Sequence, residues 1–293
     1  MKVSFALLPV VWFAVSAAHA APLTSAEVTA AVNEVSLVDE GRRVAASVGD
    51  RLSGKSELET GPKSRAELTF NDRTIARLGA NSFFSFSRGT RDMELNGGVI
   101  LLQVPKGAGG ARVETAAVTA AVTGTTIAVE YSPAKDGFPG KIKIFVLEGT
   151  LRSFLKAVPG ESMLLEAGQM IELEPDATRL PEARVFDIGR MARTAGLLSG
   201  QFGDLPSMDE ILKNIAIQDA EKADGRLLIS NFTLHNKFPT GIAQFRNQSA
   251  DIANRIIQFD SPKPPPPPPA PKPTPPPPPP TPPPPPPTPY HHH

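Results

Sequence analysis

Ala66-Glu67-Leu68-Thr69-Phe70 alternates apolar and polar side chains, Asn71-Asp72 interrupts the run, and Thr74-Ile75-Ala76-Arg77-Leu78 follows. A period of two is the period of a pleated strand, and Asn-Asp is a turn former, so this stretch predicts two short strands joined by a turn. The same reading extends outward in both directions. Phe83-Phe84-Ser85-Phe86 follows the Gly79-Ala80-Asn81 break, and Val99 to Val104 follows the Asn96-Gly97-Gly98 break. Val113 to Tyr131 is rich in β-branched residues and reads as broken once, at Gly124. Its run Thr115 to Thr123 repeats threonine, alanine and valine, and predicts strand with small side chains. Lys141 to Leu147, Leu151 to Ala157 and Met170 to Glu174 complete the series. Turn signals recurring at this spacing predict an all-β domain over residues 34–176, as a sandwich, a barrel or a stacked β-solenoid.

After Asp176 the period changes. Val185, Ile188, Met191, Ala195 and Leu198 recur at three to four residues, which is helical. Ser207-Met208-Asp209-Glu210 has the form of a capping box, Ile211, Leu212 and Ile215 supply an apolar stripe, and Gly225 is a stop signal. Ile242, Phe245, Ser249, Ile252 and Ile256 predict a third helix. Residues 177–258 are therefore expected to be a small helical C-terminal region. Beyond them, 22 of the chain's 33 prolines fall within 261–290. Proline fixes φ and lacks an N–H, so the tail 261–293 is expected to be disordered polyproline II, a tether or a ligand for an aromatic-lined groove.

At the other end, Lys2 precedes the apolar run Phe5 to Val15 and the small residues Ala18-His19-Ala20-Ala21. That order is the order of a secretory signal peptide over residues 1–20, cut after Ala20. The expected location is periplasmic or secreted, with no membrane span after cleavage. The chain holds 30 basic and 30 acidic residues, and the span 21–260 is slightly acidic. A body without a basic stripe is a poor nucleic-acid binder. The absence of cysteine excludes thiolate metal sites, cysteine nucleophiles and disulfides.

Five short motifs, in order over roughly residues 48–174, resemble the FecR domain. Leu58-Glu59-Thr60-Gly61 leading to Ser64-Arg65-Ala66-Glu67-Leu68 resembles its opening, and Gly98-Val99-Ile100-Leu101-Leu102 its glycine-initiated central strand. Val113-Glu114-Thr115 with Val122-Thr123-Gly124-Thr125-Thr126-Ile127-Ala128-Val129 resembles its Gly-Thr-x-Phe-x-Val signature. Leu147-Glu148-Gly149-Thr150-Leu151 and Leu165-Glu166-Ala167-Gly168-Gln169 resemble its Glu-Gly turn and its closing Ala-Gly-Gln. The sequence departs at Asn71-Asp72-Arg73-Thr74, where the family has Asp-Gly-Ser, and at Ile127, where it has an aromatic. The resemblance implies a β-solenoid-like or stacked-sheet fold. The best-known members are membrane-bound anti-sigma regulators. The signal-first order of this chain resembles instead the standalone exported relatives without the anti-sigma segment, so sigma binding is not expected of it.

No catalytic constellation emerges. His235 is the one histidine between the signal segment and the terminal His291-His292-His293, and it reads as a surface histidine. Gly107-Ala108-Gly109-Gly110 lacks the following Lys-Ser/Thr of a phosphate loop and reads as a hairpin loop. Glu172 and Glu174 share a strand face and read as a solvated edge. Gly98, Thr115, Gly124, Thr125, Glu148, Gly149, Ala167, Gly168 and Gln169 are read as structural residues of the family motifs. No catalytic residue, cofactor or metal is expected. The expected function is a non-enzymatic binding or signalling-scaffold module of the bacterial envelope, its partner an unknown envelope protein or cell-wall polymer. The alternative is a structural cell-wall or surface-polymer associated protein.

Overall fold

The computed structural model of the chain describes residues 21–53, 56–135, 137–198, 202–230 and 233–236, and side chains within these except those of 228–230 and 233–236. The signal segment, the third helix expected at 242–256 and the proline tail lie outside them. The first strands are β1 Ala26–Val32, β2 Val35–Asp39, β3 Arg42–Ala45, β4 Arg51–Leu52, β5 Glu57–Thr60, β6 Arg65–Phe70, β7 Ile75–Leu78 and β8 Phe83–Phe86. The long β9, Asp92–Gln103, leads to β10 Ala111–Glu114, β11 Val118–Val122, β12 Thr126–Ser132 and β13 Lys141–Glu148. Then come β14 Thr150–Leu155, β15 Ser162–Glu166, β16 Gln169–Leu173 and β17 Arg184–Val185. The helices α1 Ile188–Thr194 and α2 Met208–Ala223 follow, and a hairpin of β18 Leu227–Ser230 and β19 Thr233–Asn236 closes the described chain.

The first seventeen strands form one open sheet, with no closed barrel, folded into two stacked layers. One layer runs β4-β1-β6-β7-β9-β12-β13-β16-β17 and the other β3-β2-β5-β8-β9-β10-β11-β14-β15. β9 belongs to both. Its first half pairs with β8 and β10, and its second half, from Gly98, pairs with β7 and β12. All pairings are antiparallel except β9 with β10. The fold is thus mainly β with stacked sheets, as the sequence predicts.

The period-two pattern decides what each face meets. In β6, Ala66, Leu68 and Phe70 turn inward and are buried, while Arg65, Glu67 and Thr69 turn outward. Inward residues of both layers, among them Leu58, Leu78, Phe84, Leu95, Ile100, Val129 and Ile144, make one continuous core. Part of the outer face of the first layer is also covered. Leu101, Ala128 and Leu147 pack with Ile188, Leu197, Leu198, Leu205 and Ile211 from the helical segment.

Several local readings are corrected. Gly97-Gly98 does not end a strand but lies inside β9, where the strand passes between layers. Gly98 has φ +90°, and a Cβ there would collide with the Cα of Ser82 and stand 2.7 Å from the Asn81 carbonyl. Only glycine admits that approach. Ser82, fully buried, donates from Oγ to the Gly79 carbonyl (2.9 Å), and the Val99 N–H donates to it (3.0 Å). The stretch Val113 to Tyr131 is broken twice, at Gly124 and again at Thr115-Ala116-Ala117, where the Thr115 N–H donates to the Val118 carbonyl (2.9 Å). Strand pairing starts at Ala26, ahead of residue 34, and Ser207 makes no capping bond to the first turn of α2.

Candidate functional site

Three strands set the position of the motif residues. Thr126 of β12 is flanked in register by Gln103 of β9 and Glu148 of β13, so the three lie side by side on the helix-covered face of the first layer. Directly beside them the chain turns between layers at Gly124 (φ +61°) and Gly149 (φ +82°). A Cβ at Gly124 would stand 2.8 Å from Lys106 Cγ, and one at Gly149 would stand 2.9 Å from Thr125 Oγ1. Thr125 Oγ1 donates to the Thr150 carbonyl (2.8 Å) and the Val104 N–H donates to the Thr125 carbonyl (3.0 Å). Gly124, Thr125, Glu148 and Gly149 therefore converge on one corner.

That corner carries the start of α2. Thr126 Oγ1 and Ser207 Oγ share a hydrogen bond of 2.7 Å, both groups buried. The serine read as a helix cap is thus committed to the sheet. Asn214, two turns along, donates to the Leu147 carbonyl (3.0 Å). Glu148 is buried, and Lys106 Nζ sits 3.3 Å from its Oε1. Burial pushes the Glu148 carboxyl above its ordinary value; Lys106 opposes this, and Glu210 adds repulsion.

The remaining motif residues sit elsewhere. Gly168 (φ +84°) lies under α2, where a Cβ would stand 2.6 Å from Gln218 Nε2. Gln218 is buried there, accepting from the Ile188 N–H (3.0 Å) and donating to the Phe186 carbonyl (2.9 Å). Gln169 accepts from the Glu166 N–H (2.9 Å) and, with Ala167, completes the β15–β16 turn. Thr115 closes its own turn in the second layer, and Gly98 marks the crossing of β9.

Sequence reasoning missed Arg77. Its side chain is almost wholly buried, pairs with Glu67 (2.7 Å), and donates to the carbonyls of Leu197 (2.9 Å), Phe202 (3.2 Å) and Gly203 (3.0 Å). Its guanidinium also stands 5.2 Å from the centroid of the Phe202 ring. One arginine thus straps the loop between the helices to the sheet. Among the described residues no three His, Cys, Asp or Glu side chains come together as metal ligands. The corner offers one shielded carboxyl, one lysine and two hydroxyls already bonded to each other. Such a set holds elements together; it has no nucleophile with an adjacent base.

Residues 56–152 match the FecR protein family. The chain is similar to a crystal structure of a proposed anti-sigma factor from Parabacteroides distasonis ATCC 8503, with 17% identity and a TM-score of 0.41 over 66% of this chain and 91% of that one. A second structure of a proposed anti-sigma factor from the same organism is 16% identical, with a TM-score of 0.40 over 62% of this chain and 99% of that one. No curated protein matches the sequence. The FecR family is a regulatory, non-enzymatic kind of protein. The two-layer β body of this chain is thus similar to the FecR protein family over residues 56–152, the part that the family match covers.

Proposed function

We propose that the protein is an exported FecR-domain module of the bacterial envelope that works by binding another protein, with its proline-rich segment as a tether. The observation that carries this reading is the FecR match on a body whose motif residues are spent on joints rather than on chemistry. Contact through the sheet edge is consistent with that. β3 ends the second layer, is paired only with β2 among the described residues, and has all four of its residues exposed. Edge pairing uses backbone donors and acceptors and needs no side-chain constellation. Export is supported by the order of Lys2, the apolar run and Ala18-His19-Ala20. Among the described residues no helix is long and apolar enough to cross a membrane.

The test is in-cell crosslinking of the chain with and without residues 261–293, read by mass spectrometry. The expected result is the same dominant protein partner with both forms. Recovery of wall polymer, and only with the tail present, would overturn this reading in favour of a structural role in the wall.

A further inference from the structure

Among the described residues two large aromatic side chains stand in water: Phe83 is 40% exposed and Phe138 is 76% exposed. Phe83 lies on the outer face of the second layer and is paired in register with Gly97. The point where a Gly97 Cβ would stand is 3.4 Å from Phe83 Cδ2 and 3.5 Å from Pro133 Cγ. The missing side chain thus leaves a shallow strip walled by a phenyl ring and a proline ring. From Pro133 the chain enters a turn closed by Lys135 N–H to the Phe138 carbonyl (3.2 Å) and Phe138 N–H to the Lys135 carbonyl (2.9 Å). That turn lifts Phe138 into solvent beside a shallow depression.

We infer that this strip is the docking site of the chain's own proline-rich segment, residues 261–290. A polyproline II helix has no free N–H along its proline run and is recognised by packing its rings between aromatic side chains; the strip walled by Phe83 and Pro133 offers such a wall, and Phe138 stands exposed on the turn that the chain enters from Pro133. Charge points to the same occupant. Glu59 is the register partner of Phe83, and two residues along the strand Glu57 and Glu94 stand in register on either side of Ser85. Arg43 pairs with Glu59, which leaves the group net acidic. Burial, Glu59 and Glu94 all push the Glu57 carboxyl up, as crowded carboxylates do. The segment 261–290 brings Lys263 and Lys272 and no acid. Reach is ample. Between Asn236 and residue 261 lie 24 residues, about 80 Å when extended, against a radius of gyration of about 17 Å for a body of roughly 210 residues. The inference does not rest on the envelope reading: the docking is a property of the isolated chain.

The test uses the full chain with a benzophenone amino acid at position 138, irradiated as an equal mixture of isotopically light and heavy protein and mapped by mass spectrometry. The expected product joins position 138 to a peptide from 261–290 with both halves carrying the same label. Phe83→Ser in that background is expected to lower the yield about tenfold. Glu94→Gln, or raised salt, is expected to lower it less, because exposed charges are screened. Both substitutions are on the surface and should leave the unfolding midpoint unchanged; if Phe83→Ser does not, Glu94→Gln decides. Crosslinks to any other site, a yield indifferent to both substitutions, or no crosslink would overturn the inference. Mixed-label products would overturn it in favour of a tail donated by a second copy.

Discussion

Arg77 shows how much one side chain can determine. Its guanidinium is shut away from water and is tolerated only because Glu67 and three backbone carbonyls use its donors. Arg77→Met would leave Glu67 without its partner and the three carbonyls without a donor. Breaking a buried pair from one side costs about 3 kcal/mol or more, so urea unfolding should show a loss of that order, with proteolysis rising first around residues 197–203. Glu67→Gln should cost clearly less, because Arg77 keeps its carbonyls. Glu148 supplies a pH dependence. Burial raises its pKa above the ordinary 4.5. In that window the unfolded chain is ionised while the folded one still holds its proton. Its contribution to stability is then fully present below pH 4.5 and is lost as pH rises through the folded value. Stability measured by denaturant at about pH 4 and pH 7 should therefore fall less with rising pH in Glu148→Gln than in the parent. An identical slope in both would contradict the assigned environment.

At the scale of elements, the strands were largely legible and the helical layer's contacts were not. The run at 66–78 became β6 and β7 because a period of two with an Asn-Asp turn has few other solutions. The break at Thr115-Ala116-Ala117 was hidden because alanine and threonine signal neither turn nor strand strongly. The covering of the first layer did leave a trace. Val99-Ile100-Leu101-Leu102 is apolar without interruption, and so is Ile144-Phe145-Val146-Leu147 of β13, which is how strands buried on both faces read. Arg77 left none. An arginine at an outward strand position is ordinary until a loop 120 residues away covers it. The joint between α1 and α2 can be tested through Gln218, whose amide serves the Ile188 N–H and the Phe186 carbonyl together. Gln218→Met keeps the volume and removes both bonds. The buried Ile188 N–H is then unsatisfied, at a cost of about 1–3 kcal/mol. Amide exchange should accelerate at residues 186–190 and in α2 before it does so in β12. Equal acceleration throughout would mean that the helices and the sheet unfold as one unit.

For the whole molecule, the question is which surface meets the partner, and the edge at β3, paired only with β2 among the described residues, gives a way to ask. The β2–β3 hairpin turns on Glu40 (φ +47°) and Gly41 (φ +81°), and the Ala46 N–H donates to the Val35 carbonyl (2.8 Å). In an antiparallel pair the bonded positions alternate, so the N–H groups of Arg43 and Ala45 point away from β2, toward whatever adds itself to the edge. Ala45→Pro removes one of those outward donors, and the ring stands where the next strand would lie. Among the described residues no bond is lost, Ala45 is exposed, and Val44 before it is already in a strand, as a residue preceding proline prefers. The unfolding free energy should change by no more than about 0.5 kcal/mol, while capture of the dominant crosslinked partner should collapse. Capture unaffected by Ala45→Pro but abolished by removal of 261–293 would place recognition on the proline segment and leave the FecR domain as the body that carries it.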